Sequence, residues 1–123
     1  MRQFAISLPL PPSELHAHNT GHWRTKAAAV KRYRKMAHVA VIEKQLWPKF
    51  NRARVHYLFA LPNRRRRDAA NLLHSCKPAI DGIVDSGLIP DDCWEILEIG
   101  SVVCVVRSPS EVVLTFEEME CKS

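Results

Sequence analysis

The sequence predicts an α+β domain in which two main helices pack on one mixed β-sheet. Three observations lead there. Apolar periodicity runs in the order strand, helix, strand, helix and then three short strands. Pro, Gly and Ser clusters fall between those runs. A length of 123 residues, 46% of them hydrophobic, suits a single core, so residues 1–123 are taken as one domain without internal repeats.

Each element has its own local reason. Phe4, Ile6 and Leu8 alternate with Ala5 and Ser7 in a strand that must stop where Pro9, Pro11 and Pro12 remove backbone donors. A polar loop, Ser13 to Gly21, follows. Trp23 to Leu46 lacks Pro and Gly and predicts the first helix, with Val30, Tyr33, Ala37, Val41 and Lys44 on one face and Arg24, Lys31, Arg34 and Lys35 on others. Trp47-Pro48 ends it. Val55 to Leu61 has the β-branched and aromatic content of a buried strand, closed by Pro62-Asn63. Asp68 is a favourable N-cap for a second helix reaching about Val84, with Pro78 expected to kink or restart it near Lys77. Strands are expected at Trp94 to Ile99, Val102 to Arg107 and Val112 to Glu117, with turns at Gly100-Ser101 and Ser108-Pro109-Ser110.

The formal charge of +5 matters less than its distribution. Most Lys and Arg precede Asp68 and most acids follow it, so the first half suits a polyanion. Cys76, Cys93, Cys104 and Cys121 form no CxxC pair and read as reduced, mostly buried thiols, neither a zinc knuckle nor a redox motif. The apolar run at the start is too short for a signal segment or membrane span, which places the protein in the cytoplasm. Trp23 and Trp47 are expected in a core or interface, and His16, His18 and His22 against DNA or solvent.

On the second helix, Ala69, Leu72, Leu73, Cys76, Ala79, Ile80, Ile83 and Val84 share one side; Asn71, His74, Lys77, Asp81 and Asp85 share the other. An ordinary amphipathic helix explains that division alone. The weight shifts because the polar face opens with Asp68 directly after Arg64, Arg65, Arg66 and Arg67, includes Lys77 and Asp81, and is followed by Asp91-Asp92 after one turn. Carboxylates converging there suit Mg²⁺, a hard cation that takes oxygen ligands and keeps several waters. Such a metal polarises a phosphodiester, Lys77 stabilises the developing charge, and the arginines position the backbone of a nucleic acid.

The ordered motifs Leu8-Pro-Leu-Pro-Pro-Ser13, Arg65-Arg-Arg-Asp68-x-x-Asn71-Leu72, Lys77-Pro-x-x-Asp81-Gly82 and Gly87-Leu-Ile-Pro-Asp91-Asp92 resemble the RusA family of Holliday-junction resolvases. Asn19-x-x-His22-Trp23-Arg24-x-Lys26, with Tyr33-Arg34, resembles the start of the family's first helix. The likeness spans nearly the whole chain. It implies a homodimer that binds four-way DNA junctions and cuts two strands symmetrically, using Mg²⁺ held by acidic residues of each subunit. Carried over residue by residue, it implies catalytic Asp68, Lys77 and Asp92, metal-binding Asp68, Asp81, Asp91 and Asp92, and DNA-binding Arg24, Lys26, Arg64 to Arg67, Asn71 and His74.

Two departures follow. The family pattern often reads Asp-x-Asp-Asn, which puts a second acid where this chain has Ala70. The family lysine falls on His74 when counted from Asn71 and on Lys77 when counted back from Asp81-Gly82; Lys77 is preferred. Three rivals stay open: a junction or duplex binder that does not cut, a nuclease for another branched DNA or structured RNA, and an assembly factor whose basic patch meets an acidic protein.

Overall fold

The computed structural model describes residues 2–16 and 20–120. His18, Asn19 and Cys121 lie outside the described residues. The elements are β1 (Gln3–Leu8), a single 3₁₀ turn (Ser13–Leu15), α1 (Trp23–Ile42), β2 (Ala53–Leu61), α2 (Ala69–Ser75), α3 (Lys77–Ser86), β3 (Leu97–Val106) and β4 (Glu111–Glu118). The four strands form one mixed sheet in the order β1-β4-β2-β3, and the architecture is the expected α+β domain. β4 runs antiparallel to both β1 and β2, while β3 lies parallel to β2.

One sheet face is covered. Ile6, Leu8, Val55, Tyr57, Phe59, Val112, Leu114 and Phe116 meet Ala29, Tyr33, Ala37 and Val41 of α1 and Ala79, Ile80 and Ile83 of α3 in a single core. Each large side chain removed from water there contributes roughly 1.5–3 kcal/mol. The α1–α3 contact is unusually close at Gly82, where a Cβ would stand 2.0 Å from the Arg34 carbonyl oxygen. Gly82 is therefore a packing residue, and near it Asp85 of α3 pairs with Arg34 of α1. On the opposite side of the core, the Phe50 amide donates to the Leu88 carbonyl at 2.8 Å and ties the α1–β2 connection to the segment after α3.

The second helix restarts at Pro78, as its missing amide requires: Cys76 separates α2 from α3, and Pro78 sits in the first turn of the new helix, where no donor is needed. Gly87 closes α3 with φ 85°, the left-handed conformation that favours glycine.

Several expectations are corrected. α1 ends at Ile42, because Gln45 takes φ 63° and the chain tightens into turns, so Lys44 leaves the packing face and is exposed. Gly100-Ser101 is not a turn between two strands. Leu97–Val106 is one strand, and the ladder shifts register between Val55 and Tyr57, so that Gly100 and Ser101 together face His56. The His56 ring fills the space a Gly100 side chain would need, 2.6 Å from its hypothetical Cβ, and accepts the Ser101 amide at 3.1 Å. A bulge absorbs the two small residues without ending the strand. Trp94 to Ile96 forms a turn, not a strand. Trp23 is 67% exposed on the surface of α1, whereas Trp47 packs against the core. Cys76 is buried, and burial pushes its thiol up to about 12, but Cys104 is exposed, at a pocket it lines with Ala69 and Leu72 of α2. Among the described residues, no helix is long and apolar enough to cross a membrane.

Candidate nucleic-acid interface and acidic centre

The segment from Leu61 to Asp92 is the crossover that joins parallel neighbours β2 and β3, and nearly all expected site residues fall on it. It begins with a loop that Asn63 folds back on itself. The Asn63 carboxamide oxygen accepts from the Arg65 amide at 3.1 Å and from the Arg67 guanidinium at 3.0 Å. Arg67 also donates to the carbonyls of Asn63 and Arg65, at 3.1 and 3.0 Å. Its guanidinium thus staples the loop, leaving Arg64, Arg65 and Arg66 exposed to solvent. The sequence marked four equivalent arginines; the structure separates one anchor from three exposed cations.

Asp68 caps α2, its Oδ1 accepting from the Ala70 amide at 2.9 Å. It lines a cleft of about 560 Å³ with Arg65, Arg66, Asn71, His16 and Ser75. Leu10 and Pro11 form part of the apolar wall. That wall is anchored from α1, whose buried Tyr33 donates its hydroxyl to the Pro9 carbonyl at 2.7 Å. The cap engages Oδ1 of the Asp68 carboxylate.

Two residues beyond Ser75, Lys77 opens α3. Its Nζ donates to Asp81 Oδ1 at 2.5 Å, one turn along the helix, and to Asp92 Oδ2 at 2.6 Å, from the loop after α3. Pro78 sets this geometry by starting a fresh helix, so that Lys77 and Asp81 share a face four residues apart. Burial opposes the Lys77 charge, but its hydrogen bonds to Asp81 and Asp92 outweigh that and raise its pKa above the ordinary lysine value. The Lys77 hydrogen bond in turn holds the Asp92 carboxyl below the usual aspartate range. Asp91 supports the loop, accepting the Asp92 amide on Oδ1 at 2.8 Å.

The structure thus brings Lys77, Asp81 and Asp92 together, and separately gathers Asp68 and Asn71 with the arginine loop. His74 is exposed in the last turn of α2, outside the lysine-centred cluster. Arg24 and Lys26 lie in the first turn of α1, where the Arg24 guanidinium sits over Trp23 at 5.2 Å and the His22 ring accepts the Arg24 amide at 3.1 Å as an N-cap. Among the described residues, no group of three or more His, Cys, Asp or Glu side chains is placed to hold a metal ion. The carboxylates of Asp81 and Asp92 do converge on one cation, the Lys77 ammonium, and their oxygens are the donor type that Mg²⁺ prefers.

Three contributors escape sequence reasoning. Asn63 reads only as a strand terminator. The Arg34–Asp85 pair, bidentate at 2.6 and 2.8 Å, links α1 to α3 through residues 51 apart, and no local pattern reports such a distance. Gly82 was visible only as part of a motif, not as the closest approach of two helices.

The chain matches no protein-family model, and a search of curated proteins returns no match either.

Proposed function

We propose that this chain is a Mg²⁺-dependent phosphodiesterase acting on DNA and, within that class, a homodimeric resolvase of four-way junctions working in the cytoplasm. The observation that carries the reading is Lys77 held between Asp81 and Asp92, two residues along the chain from an arginine-lined cleft that Asp68 opens. Phosphoryl chemistry needs oxygen donors for a divalent cation, a cation for the developing charge and a surface that grips phosphates, and this crossover supplies all three residue types.

In this reading the carboxylates that would hold Mg²⁺ come from Asp68, Asp81, Asp91 and Asp92, no three of which are grouped in this structure as a site, and the ion would supply Lewis-acid polarisation of the phosphate and a hydroxide-like nucleophile when bound. Lys77 stabilises negative charge on the phosphate or leaving oxygen. Arg64, Arg65 and Arg66 bind the DNA backbone, with Arg67 and Asn63 fixing the loop that presents them. Asn71 and His74 face DNA from α2, and Arg24 and Lys26 extend the basic surface on α1.

A second reading, a junction-binding protein that does not cut, has Ala70 behind it, since that position carries no carboxylate beside Asp68. Purified protein is incubated with a labelled synthetic four-way junction and with linear duplex, in Mg²⁺ or EDTA, alongside Asp68→Asn and Asp92→Asn. Symmetric, Mg²⁺-dependent cutting of the junction, lost in both variants, is the expected result. Tight junction binding without cutting in any divalent metal rejects the enzyme and leaves the binding protein.

A further inference from the structure

β3 is an edge strand of ten residues, and its stretch Val102-Val103-Cys104-Val105-Val106 contains no charge and no proline. Natural edges are usually blunted by such residues. Here Ile99, Val103 and Val106 are 59%, 46% and 44% exposed, and Cys104 is exposed beside them. We propose that β3 is a self-pairing edge, through which two copies of this chain join their sheets antiparallel about a two-fold axis at Val103.

The backbone fixes which groups are free. The Arg107 amide donates to the Leu61 carbonyl of β2 at 3.1 Å, so by strand alternation the backbone groups of Val103 and Val105 also point to β2. Those of Val102, Cys104 and Val106 point outward to the open edge. Pairing with β2 also fixes the faces. Ile99, Val102, Cys104 and Val106 share the helix-side face with Val55, Tyr57, Phe59 and Leu61; Glu98, Val103 and Val105 share the other with Arg54, Leu58 and Ala60.

Antiparallel partners must lie on the same face, which restricts the registers. With Val103 on the axis, Val102 meets Cys104 of the second copy, and their outward backbone groups exchange hydrogen bonds. Val105 meets Ser101. Across the bulge, where Gly100 and Ser101 occupy one place, Ile99 falls opposite Val106 and Glu98 opposite Arg107. An exposed apolar pair and an opposite-charge pair therefore recur at both ends of the contact. Centring on Val102 sets Glu98 against Val105, and centring on Cys104 sets it against Pro109, so only the Val103 register matches charge with charge. Glu98 and Arg107 already pair within the chain to Arg54 at 2.8 Å and Glu111 at 3.7 Å, and the new contact links these pairs into one network. A second copy of this chain is the occupant because the strand complements itself.

The inference rests on the two-subunit element of the function proposed above and supplies its surface. It doubles the four-stranded sheet and relates two Lys77 clusters by a two-fold axis, the symmetry that paired cuts need. The test uses the full chain with Val103→Cys in a Cys104→Ser background. Opposed residues of a non-hydrogen-bonded pair have Cα atoms roughly 4.5 Å apart, inside the range of roughly 4.4–6.8 Å for disulfides. Mild oxidation is expected to give a covalent dimer, and sedimentation a dimer for the unmodified chain, a monomer for folded Val103→Lys and for Glu98→Arg, and a dimer again for Glu98→Arg with Arg107→Glu. A dimer that ignores Val103→Lys and does not cross-link overturns this surface while keeping two subunits. A monomeric unmodified chain overturns both, and ready Cys104 cross-linking without Val103→Cys overturns the register. Junction cutting, measured separately, decides the chemistry.

Discussion

Replacing Gly82 by alanine tests how α3 is held. The added Cβ would stand 2.0 Å from the Arg34 carbonyl oxygen, 3.0 Å from its carbon and 3.1 Å from the Ala37 Cβ. An ordinary carbon–oxygen contact is roughly 3.3 Å, so α1 and α3 must part by about 1 Å. The obstacle is backbone, which cannot swing aside, and overpacking of this kind costs about 3 kcal/mol. Alanine's better helix propensity returns about 1 kcal/mol, leaving about 2 kcal/mol of destabilisation. For a chain of this size that lowers Tm by about 8 °C. Differential scanning calorimetry of Gly82→Ala beside Gly87→Ala separates the causes. Gly87 has nothing within 4 Å of its hypothetical Cβ and differs only in its φ of 85°, so it should lose about 1 kcal/mol without moving a helix. A Gly82→Ala protein that melts at the unmodified temperature, with its Arg34–Asp85 pair intact, refutes the close approach.

Further outcomes follow from the same geometry. Lys77→Met leaves Asp81 and Asp92 without their shared cation: the Asp92 carboxyl should rise towards the ordinary aspartate value in an NMR titration, and cleavage of a four-way junction should fall by about 10²-fold or more, with stability changed by less than about 1 kcal/mol because the side chain is largely exposed. The Lys77 hydrogen bond lowers Asp92, and Arg34 lowers Asp85; groups lowered on folding stabilise above their unfolded pKa and lose that contribution as the pH falls through the folded value. Melts between about pH 5 and about pH 2 should therefore show a decline that is shallower in Asp85→Asn. Arg64, Arg65 and Arg66 changed together to alanine should reduce the salt dependence of DNA binding by about 0.9 in logarithmic slope for each phosphate that the loop no longer neutralises. Arg67→Ala should instead resemble Asn63→Ala, loosening the loop in hydrogen exchange.

The fold was legible where periodicity was strong and local. Phe4, Ile6 and Leu8, the core face of α1, and Val55 to Leu61 each announce their element, and Pro78 announces the break between α2 and α3. What failed were boundaries set by tertiary fit. Gly100-Ser101 has the composition of a turn, yet the ring of His56 on a neighbouring strand makes it a bulge. Of the site, the residue types and their order on the crossover were readable. The division of labour was not: the sequence holds no sign that Arg67 bonds its own loop, that Asp81 and Asp92 meet on Lys77, or that Arg34 reaches Asp85.

The position of β4 has a consequence for assembly. Gln3 pairs with Glu117 and Ala53 with Glu118, so the strand that separates β1 from β2 comes from beyond the whole crossover. Lys77 and Asp81 can meet within a short helix, but the sheet beneath them closes only after a long-range search whose chain-entropy cost no local contact offsets. The acidic centre is thus local in sequence and late in stability. Deuterium should leave the amides of α3 no later than those of β4, because the two gain protection in the same cooperative step.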